Sequence, residues 1–191
     1  MSVLAKSLKI TPETYLTAEM NAPIRSEYVD GEVYAMAGAS DGHVTITGNL
    51  FALLKPQLRG SGCKAYINDM KLRIGEDDAY FYPDLMLSCD AADHQRNYVK
   101  HSPSLIVEVL SPSTEAYDRG GKFAYYRQLN SLQEYVLIDP RLYRVDVFRR
   151  TPNNRWELFN FEGADALIEF ASINLHCTMQ ALYEDVNFDL A

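Results

Sequence analysis

Two spacings of apolar residues alternate along this chain. Between residues 41 and 58, Ile46, Leu50, Leu53 and Leu54 recur at helical intervals, and Ser40 or Asp41 can cap the start. Thr11-Pro12-Glu13 opens a shorter helix through about Met20, with threonine as N-cap and proline at the first helical position. Elsewhere the period is two. Residues 64–74 alternate Met70, Leu72 and Ile74 with Asp69, Lys71 and Arg73, which predicts one strand. Residues 25–36 read as a β-hairpin turned by Asp30-Gly31. Short apolar runs at 80–87 and 104–110 predict buried strands, with Glu76-Asp77-Asp78 turning the chain into the first. Ser111-Pro112-Ser113-Thr114 ends the second. Phe123, Tyr126, Leu129 and Leu132 then have helical spacing, with Lys122 in the first turns of that helix. Strands follow at 134–139, 143–149 and 155–161, and residues 164–185 mix an extended piece with a terminal helix. Residues 91–101 read as a polar connection and residues 1–10 as a loose end.

Hairpin, helix, strands, helix, strands in that order predicts an α/β chain, a mixed β-sheet flanked by helices with an N-terminal β-hairpin. No repeat or interdomain linker is visible, so a single domain over residues 1–191 is expected.

An acid in each buried run breaks the pattern. Asp84 lies late in Tyr80-Phe81-Tyr82-Pro83-Asp84-Leu85-Met86-Leu87, and Glu108 lies late in Ser104-Leu105-Ile106-Val107-Glu108-Val109-Leu110. A carboxylate there costs several kcal/mol unless it is paired, protonated or on a metal. Two of them on strands that can be neighbours suggest one shared divalent cation; the plainer alternative is that each caps a strand end or pairs with an arginine. Lys122 can point back at the strand ends and offer positive charge to a phosphate or an activated water, or it is a solvated surface lysine. His43 lies three residues before Ile46, on the inward stripe of its helix, as a site group or a hydrogen-bonded core histidine. Glu27 sits in the hairpin, where a cross-strand partner or a solvated edge charge is the plain reading. Tyr126 is expected in the core with its hydroxyl near the site.

Pro83-Asp84, then Glu108-Val109-Leu110, then Lys122 resembles the PD-(D/E)XK nuclease superfamily, with its restriction-endonuclease-like fold. The longer run Val107-Glu108-Val109-Leu110-Ser111-Pro112-Ser113-Thr114, with Asp118, Lys122, Tyr126 and Glu134-Tyr135, is similar to the Uma-two (Uma2) family of bacterial endonucleases. The resemblance covers about Glu27 to Leu182. It implies a sheet splayed at one edge with the carboxylates at the mouth, and metal-dependent cutting of a phosphodiester in nucleic acid, DNA by preference. Leu110 stands where the parent motif has its lysine, and the resemblance implies that Lys122 takes that role. It also makes Glu27 an outer carboxylate of the metal. Carboxylate oxygens select Mg2+ or Mn2+, held by Asp84 and Glu108 with the carbonyl of Val109 as a third ligand.

Charge changes this picture. The net charge is −8, whereas nucleic-acid-binding proteins usually present a basic face. Lys71, Arg73, Lys100, Arg119, Lys122 and Arg127 flank the proposed site in sequence and could build a local one. Two alternatives therefore stay open: a degenerate nuclease fold acting as a binding or assembly module, and a metal-dependent hydrolase on a small phosphorylated substrate. No Walker-type loop supports a nucleotide triphosphatase. Cys63, Cys89 and Cys177 are odd in number and far apart, which fits reduced thiols of a cytoplasmic protein. No membrane span or signal peptide is visible. The apolar residues between Tyr143 and Phe161 exceed what a monomer usually exposes, so a homodimer is expected through that region or the hairpin.

Overall fold

The computed structural model describes residues 9–188. The loose end expected at 1–10 lies outside them except for Lys9 and Ile10, and the Ile10 N–H is tied to the Gly31 carbonyl at 3.0 Å. In chain order the elements are α1 (Pro12–Glu19), β1 (Ser26–Val29), β2 (Glu32–Ala35), α2 (Asp41–Gln57), β3 (Lys64–Ile67), β4 (Lys71–Ile74), β5 (Ala79–Phe81) and β6 (Leu85–Ser88). Then follow α3 (Ala91–Gln95), β7 (Val99–Lys100), β8 (Leu105–Val109), α4 (Glu115–Tyr117), a π turn (Asp118–Lys122) and α5 (Phe123–Tyr126). The chain closes with β9 (Glu134–Asp139), β10 (Arg144–Arg150), β11 (Trp156–Glu162), β12 (Leu167–Phe170), β13 (Leu175–Thr178) and α6 (Met179–Leu182).

The strands form a five-stranded sheet, β2-β1-β5-β4-β7, a six-stranded sheet, β11-β10-β9-β8-β6-β3, and the ribbon β12-β13. Both larger sheets are mixed: β4–β7 and β8–β9 run parallel, the other pairs antiparallel. Local chemistry sets the ends. The side chain of Thr11 caps α1 and that of Ser40 caps α2. Asp30 and Gly31 take φ of 48° and 94°, the left-handed pair that turns a tight hairpin.

Residues 64–88 correct the sequence reading. The expected single strand over 64–74 breaks at Asn68, whose φ is 58°. The expected strand over 80–87 breaks at Pro83, which has no N–H to give to a ladder. Both breaks lie side by side: the Asn68 N–H donates to the Asp84 carbonyl at 3.4 Å. Residues 64–88 are thus one long antiparallel ribbon that crosses between the sheets. β3–β6 pairs Ile67 with Leu85, whereas β4–β5 pairs Leu72 with Phe81, so the Asn68 arm carries one extra residue, a β-bulge. Asp84 therefore precedes β6 instead of lying late in a strand.

Two further expectations change. The polar connection at 91–101 holds α3, capped by the Asp90 side chain, and β7. The helix after Glu108 begins at Glu115 and ends at Tyr126, so Lys122 lies at the end of its π turn; Leu129 and Leu132 are buried beyond it.

Strand periodicity divides the core. Leu85, Leu87, Leu105, Val107 and Val109 face Ile46, Leu50 and Leu54 of α2, with β12, β13 and α6. Met86, Ile106 and Leu110 face the opposite way, onto Phe123, Tyr126 and the five-stranded sheet's Leu72, Ile74 and Phe81. Phe148 and Trp156 pack on the Phe123 ring, so much of the apolar surplus of β10 and β11 is core. Leu158 is the exposed large apolar residue of that stretch.

Cys63 and Cys89 form a disulfide, contrary to the expectation of three reduced thiols. They are distant in sequence but adjoin the Lys64–Ser88 pair at the end of β3–β6, where the ladder brings them face to face. Cys177 is free and buried. Among the described residues, no helix is long and apolar enough to cross a membrane.

Candidate active site

The ribbon's crossing lies beside the end of β8. β6 and β8 are antiparallel, so the residue before β6 meets the residues closing β8. Asp84 takes advantage of this: its Oδ2 accepts the Val109 N–H at 2.7 Å. Its Oδ1 lies 2.8 Å from His43 Nε2, presented by the first turn of α2. Glu108, flanked by Val107 and Val109 on one face, points with Ile106 and Leu110 towards the other. By the same alternation Asp84 shares the Met86 side, so the two carboxylates meet on one side of the sheet.

Lys122 occupies the centre. Its Nζ lies 3.1 Å from Glu27 Oε1, 3.2 Å from Glu108 Oε1 and 3.5 Å from Asp118 Oδ1. Glu27 is further held by the Tyr82 N–H at 3.2 Å, and Glu108 Oε1 accepts the Tyr126 hydroxyl at 2.7 Å. Four carboxylates, Glu27, Asp84, Glu108 and Asp118, thus gather around one ammonium and one imidazole.

Burial decides how these charges titrate. Desolvation pushes the Glu108 carboxyl well above the usual range; Lys122 pulls it down, while Asp84, Asp118 and Glu27 push it further up. Desolvation also disfavours the Lys122 ammonium, but Glu108, Glu27 and Asp118 outweigh it and hold the lysine protonated beyond its ordinary range. Burial first, then Glu108 and Glu27, raise the Tyr126 phenol, so it remains a donor.

All five residues picked from the sequence, Asp84, Glu108, Lys122, Glu27 and His43, fall in this one cluster. Val109 contributes its N–H, which fixes Asp84. Asp118 completes the cluster and is missing from the residues picked. It is 2% exposed, its Oδ1 has no hydrogen bond, and the Tyr135 hydroxyl holds its carbonyl at 3.0 Å. Its signal was present: an acid four residues before Lys122 shares a helix face with it.

Much of the expected local basic charge is engaged in internal contacts. Lys100 is buried, its ammonium held by the carbonyls of Asp93 and Arg96. Arg119 pairs with Glu115 and Asp146, Arg73 pairs with Asp77, and Arg127 lies on the Phe123 ring.

Among the described residues, no three His, Cys, Asp or Glu side chains are arranged to hold a metal. Two carboxylates are available, and both Glu108 and Asp84 belong to a cluster with surplus negative charge. Tyr126 and Lys122 both meet Glu108 at Oε1. The all-oxygen donor set of the two carboxylates fits a hard cation that keeps most of its own water, as Mg2+ does.

Comparisons with known proteins agree with this architecture. The family model Uma2, described as "Putative restriction endonuclease", matches residues 12–180. Two uncharacterised proteins of Synechocystis, slr1290 and sll1609, are each 37% identical to the chain. The first match covers 94% of both chains, and the second covers 92% of this chain and 100% of the relative. A crystal structure from Anabaena variabilis, titled as a "putative nuclease", superposes with a TM-score of 0.76 at 20% identity, over 91% of this chain and 97% of that one. The fold is thus shared with that protein, and the extent of the family match makes this chain a member of the Uma2 restriction-endonuclease family.

Proposed function

We propose that the chain is a metal-dependent endonuclease that hydrolyses phosphodiester bonds in nucleic acid, DNA by preference. The observation that carries the reading is the meeting of Asp84, Glu108 and Lys122 beside the end of β8. Asp84 and Glu108 would hold Mg2+ or Mn2+, with the Val109 carbonyl and water completing its shell. Bound there, the cation supplies Lewis acidity to a phosphate oxygen and a more acidic water. Lys122 contributes a fixed positive charge beside the phosphate, where negative charge grows as water attacks and the leaving oxygen departs. His43 orients Asp84, and Tyr126 orients Glu108. Glu27 and Asp118 hold the Lys122 ammonium from either side.

A cleavage assay on mixed nucleic acids, with Mg2+ or Mn2+, tests this. Wild type should cut, chelation should stop it, and Asp84→Ala should lower the rate at least about a hundredfold. Cleavage that survives in Asp84→Ala would sink the assignment. The proposal keeps the expected cytoplasmic location, although the Cys63–Cys89 disulfide removes the reduced-thiol argument for it. It also pairs two copies through the open edge of β11, which carries Leu158. Light scattering that finds only a 21.7 kDa species would remove the pair.

A further inference from the structure

The ion pair between Glu27 and Lys122 ties the β1–β2 hairpin to the α4–π-turn segment. Each of these two segments carries an exposed tyrosine. Tyr34 is the cross-strand partner of Glu27, so its side chain stands on the same face of the hairpin. It is 51% exposed, and its hydroxyl is tethered to Glu32. On the other segment, Tyr117 lies five residues before Lys122 and is 39% exposed. One part of its ring lies on the backbone of Gly121, where a Cβ would come within 2.4 Å of Tyr117 Cε2. Only glycine leaves room for the ring to settle there. Partial burial raises its phenol, with Glu27 and Tyr34 pushing the same way and Lys122 opposing them.

Neither ring is needed for the core, since neither belongs to a buried cluster. Little basic charge surrounds the two rings: Glu32 and Asp30 lie on the hairpin, and Arg119 is paired internally. Aromatic rings stack on unpaired bases of any sequence, because every base offers a π-face, whereas the bases of a duplex are already stacked on one another. We propose that Tyr34 and Tyr117 form a stacking platform for unpaired nucleobases, so that the substrate is a single strand or an unpaired stretch. The inference rests on the nuclease reading for its class of ligand.

The test uses the full-length protein in chelator, so that no bond is cut, and fluorescence anisotropy with a labelled oligonucleotide, single-stranded and as a duplex. Single strands should bind more tightly than duplex, with a salt dependence worth fewer than about two neutralised phosphates. Tyr117→Ala and Tyr34→Ala should each weaken single-strand binding roughly five- to a hundredfold, while Tyr117→Phe and Tyr34→Phe keep it, since the ring carries the contact. Thermal melts accompany each variant. Tyr34 sits exposed on an edge strand, so its truncation keeps the question answerable if Tyr117→Ala unfolds. Duplex binding equal to single-strand binding, no binding of either, or alanine variants that bind like wild type would overturn the proposal. Cleavage with Mn2+ separates the two readings: a protein that cuts but ignores both truncations loses only the platform. A protein that stacks single strands and cuts nothing loses only the nuclease activity.

Discussion

Two buried glutamates on adjacent strands show opposite treatments of the same side chain. Glu134 opens β9 and is fully buried, yet every oxygen is answered: Arg149 Nε at 2.8 Å, the N–H groups of Ala171 and Ser172 at 3.1 and 2.9 Å, and the Ser172 hydroxyl. Glu108, near the end of β8, is 4% exposed and shares its one lysine with Glu27 and Asp118. The first arrangement spends a carboxylate on tying the β12–β13 ribbon to the sheet. The second leaves negative charge uncompensated, which is a reason to hold a cation and a poor way to hold a fold.

The largest expected contrast is in stability. Glu134→Ala should cost about 3–5 kcal/mol, because Arg149 and two N–H groups lose their partner inside the protein. Glu108→Gln should leave the metal-free protein as stable as wild type or more so. Urea denaturation of both variants decides it, and equal losses would erase the distinction.

Next in size is a pH effect. The folded-state value of Glu108 is raised, so folding takes up a proton there. The stabilising contribution is complete below the ordinary glutamate range and is lost as pH rises through the group's own raised value. Metal-free wild type should therefore lose stability relative to Glu108→Gln as pH increases across that window. His101, whose burial lowers it, acts with the opposite sign but is common to both proteins. Parallel stability curves for the two proteins would mean that Glu108 is already ionised.

The smallest effect is the response to Mn2+. At ten times its dissociation constant the ion adds about 1.4 kcal/mol to wild type. Asp84→Asn and Glu108→Gln should lose that increment, whereas Glu134→Gln should keep it. Asp84→Asn can preserve its local contacts, offering the amide oxygen to the Val109 N–H and the NH2 to the His43 ring. Loss of the Mn2+ response alone would thus be read as loss of a ligand. Thermal melts with and without Mn2+ measure the difference.

The sequence announced the acids, because a carboxylate in an apolar run is visible without coordinates. Capping of α1 and α2 by Thr11 and Ser40, and the Asp30-Gly31 turn, were equally visible, since each is a short-range rule. Asp118 stands in the run that resembles the family, but a polar residue on a helix that looks amphipathic gives no sign of burial, and its i,i+4 relation to Lys122 is what ties it to the site. The break at Asn68 was hidden by the period-two alternation of 69–74, and Pro83, itself a strand breaker, stood inside an otherwise apolar run. Periodicity reports which face a residue takes, but not which sheet the face belongs to. The Cys63–Cys89 bond was missed for a related reason, because linear separation says nothing about a ladder that folds back on itself.

The bulge at Asn68 acts as a phase shifter between two halves of one ribbon. Upstream, β3 and β6 keep one beat of inward and outward side chains; downstream, β4 and β5 keep another, and Asp84 stands at the change of beat. Deleting a single residue from the Asn68 arm would bring the halves into step. The β4–β5 end would then present its opposite face, exchanging Phe81 in one core for Tyr80 in another. Substitutions around Asp84 can be absorbed one at a time, but a change in length there alters everything beyond it. The chemistry of this site is therefore guarded by a count of residues as much as by their identity.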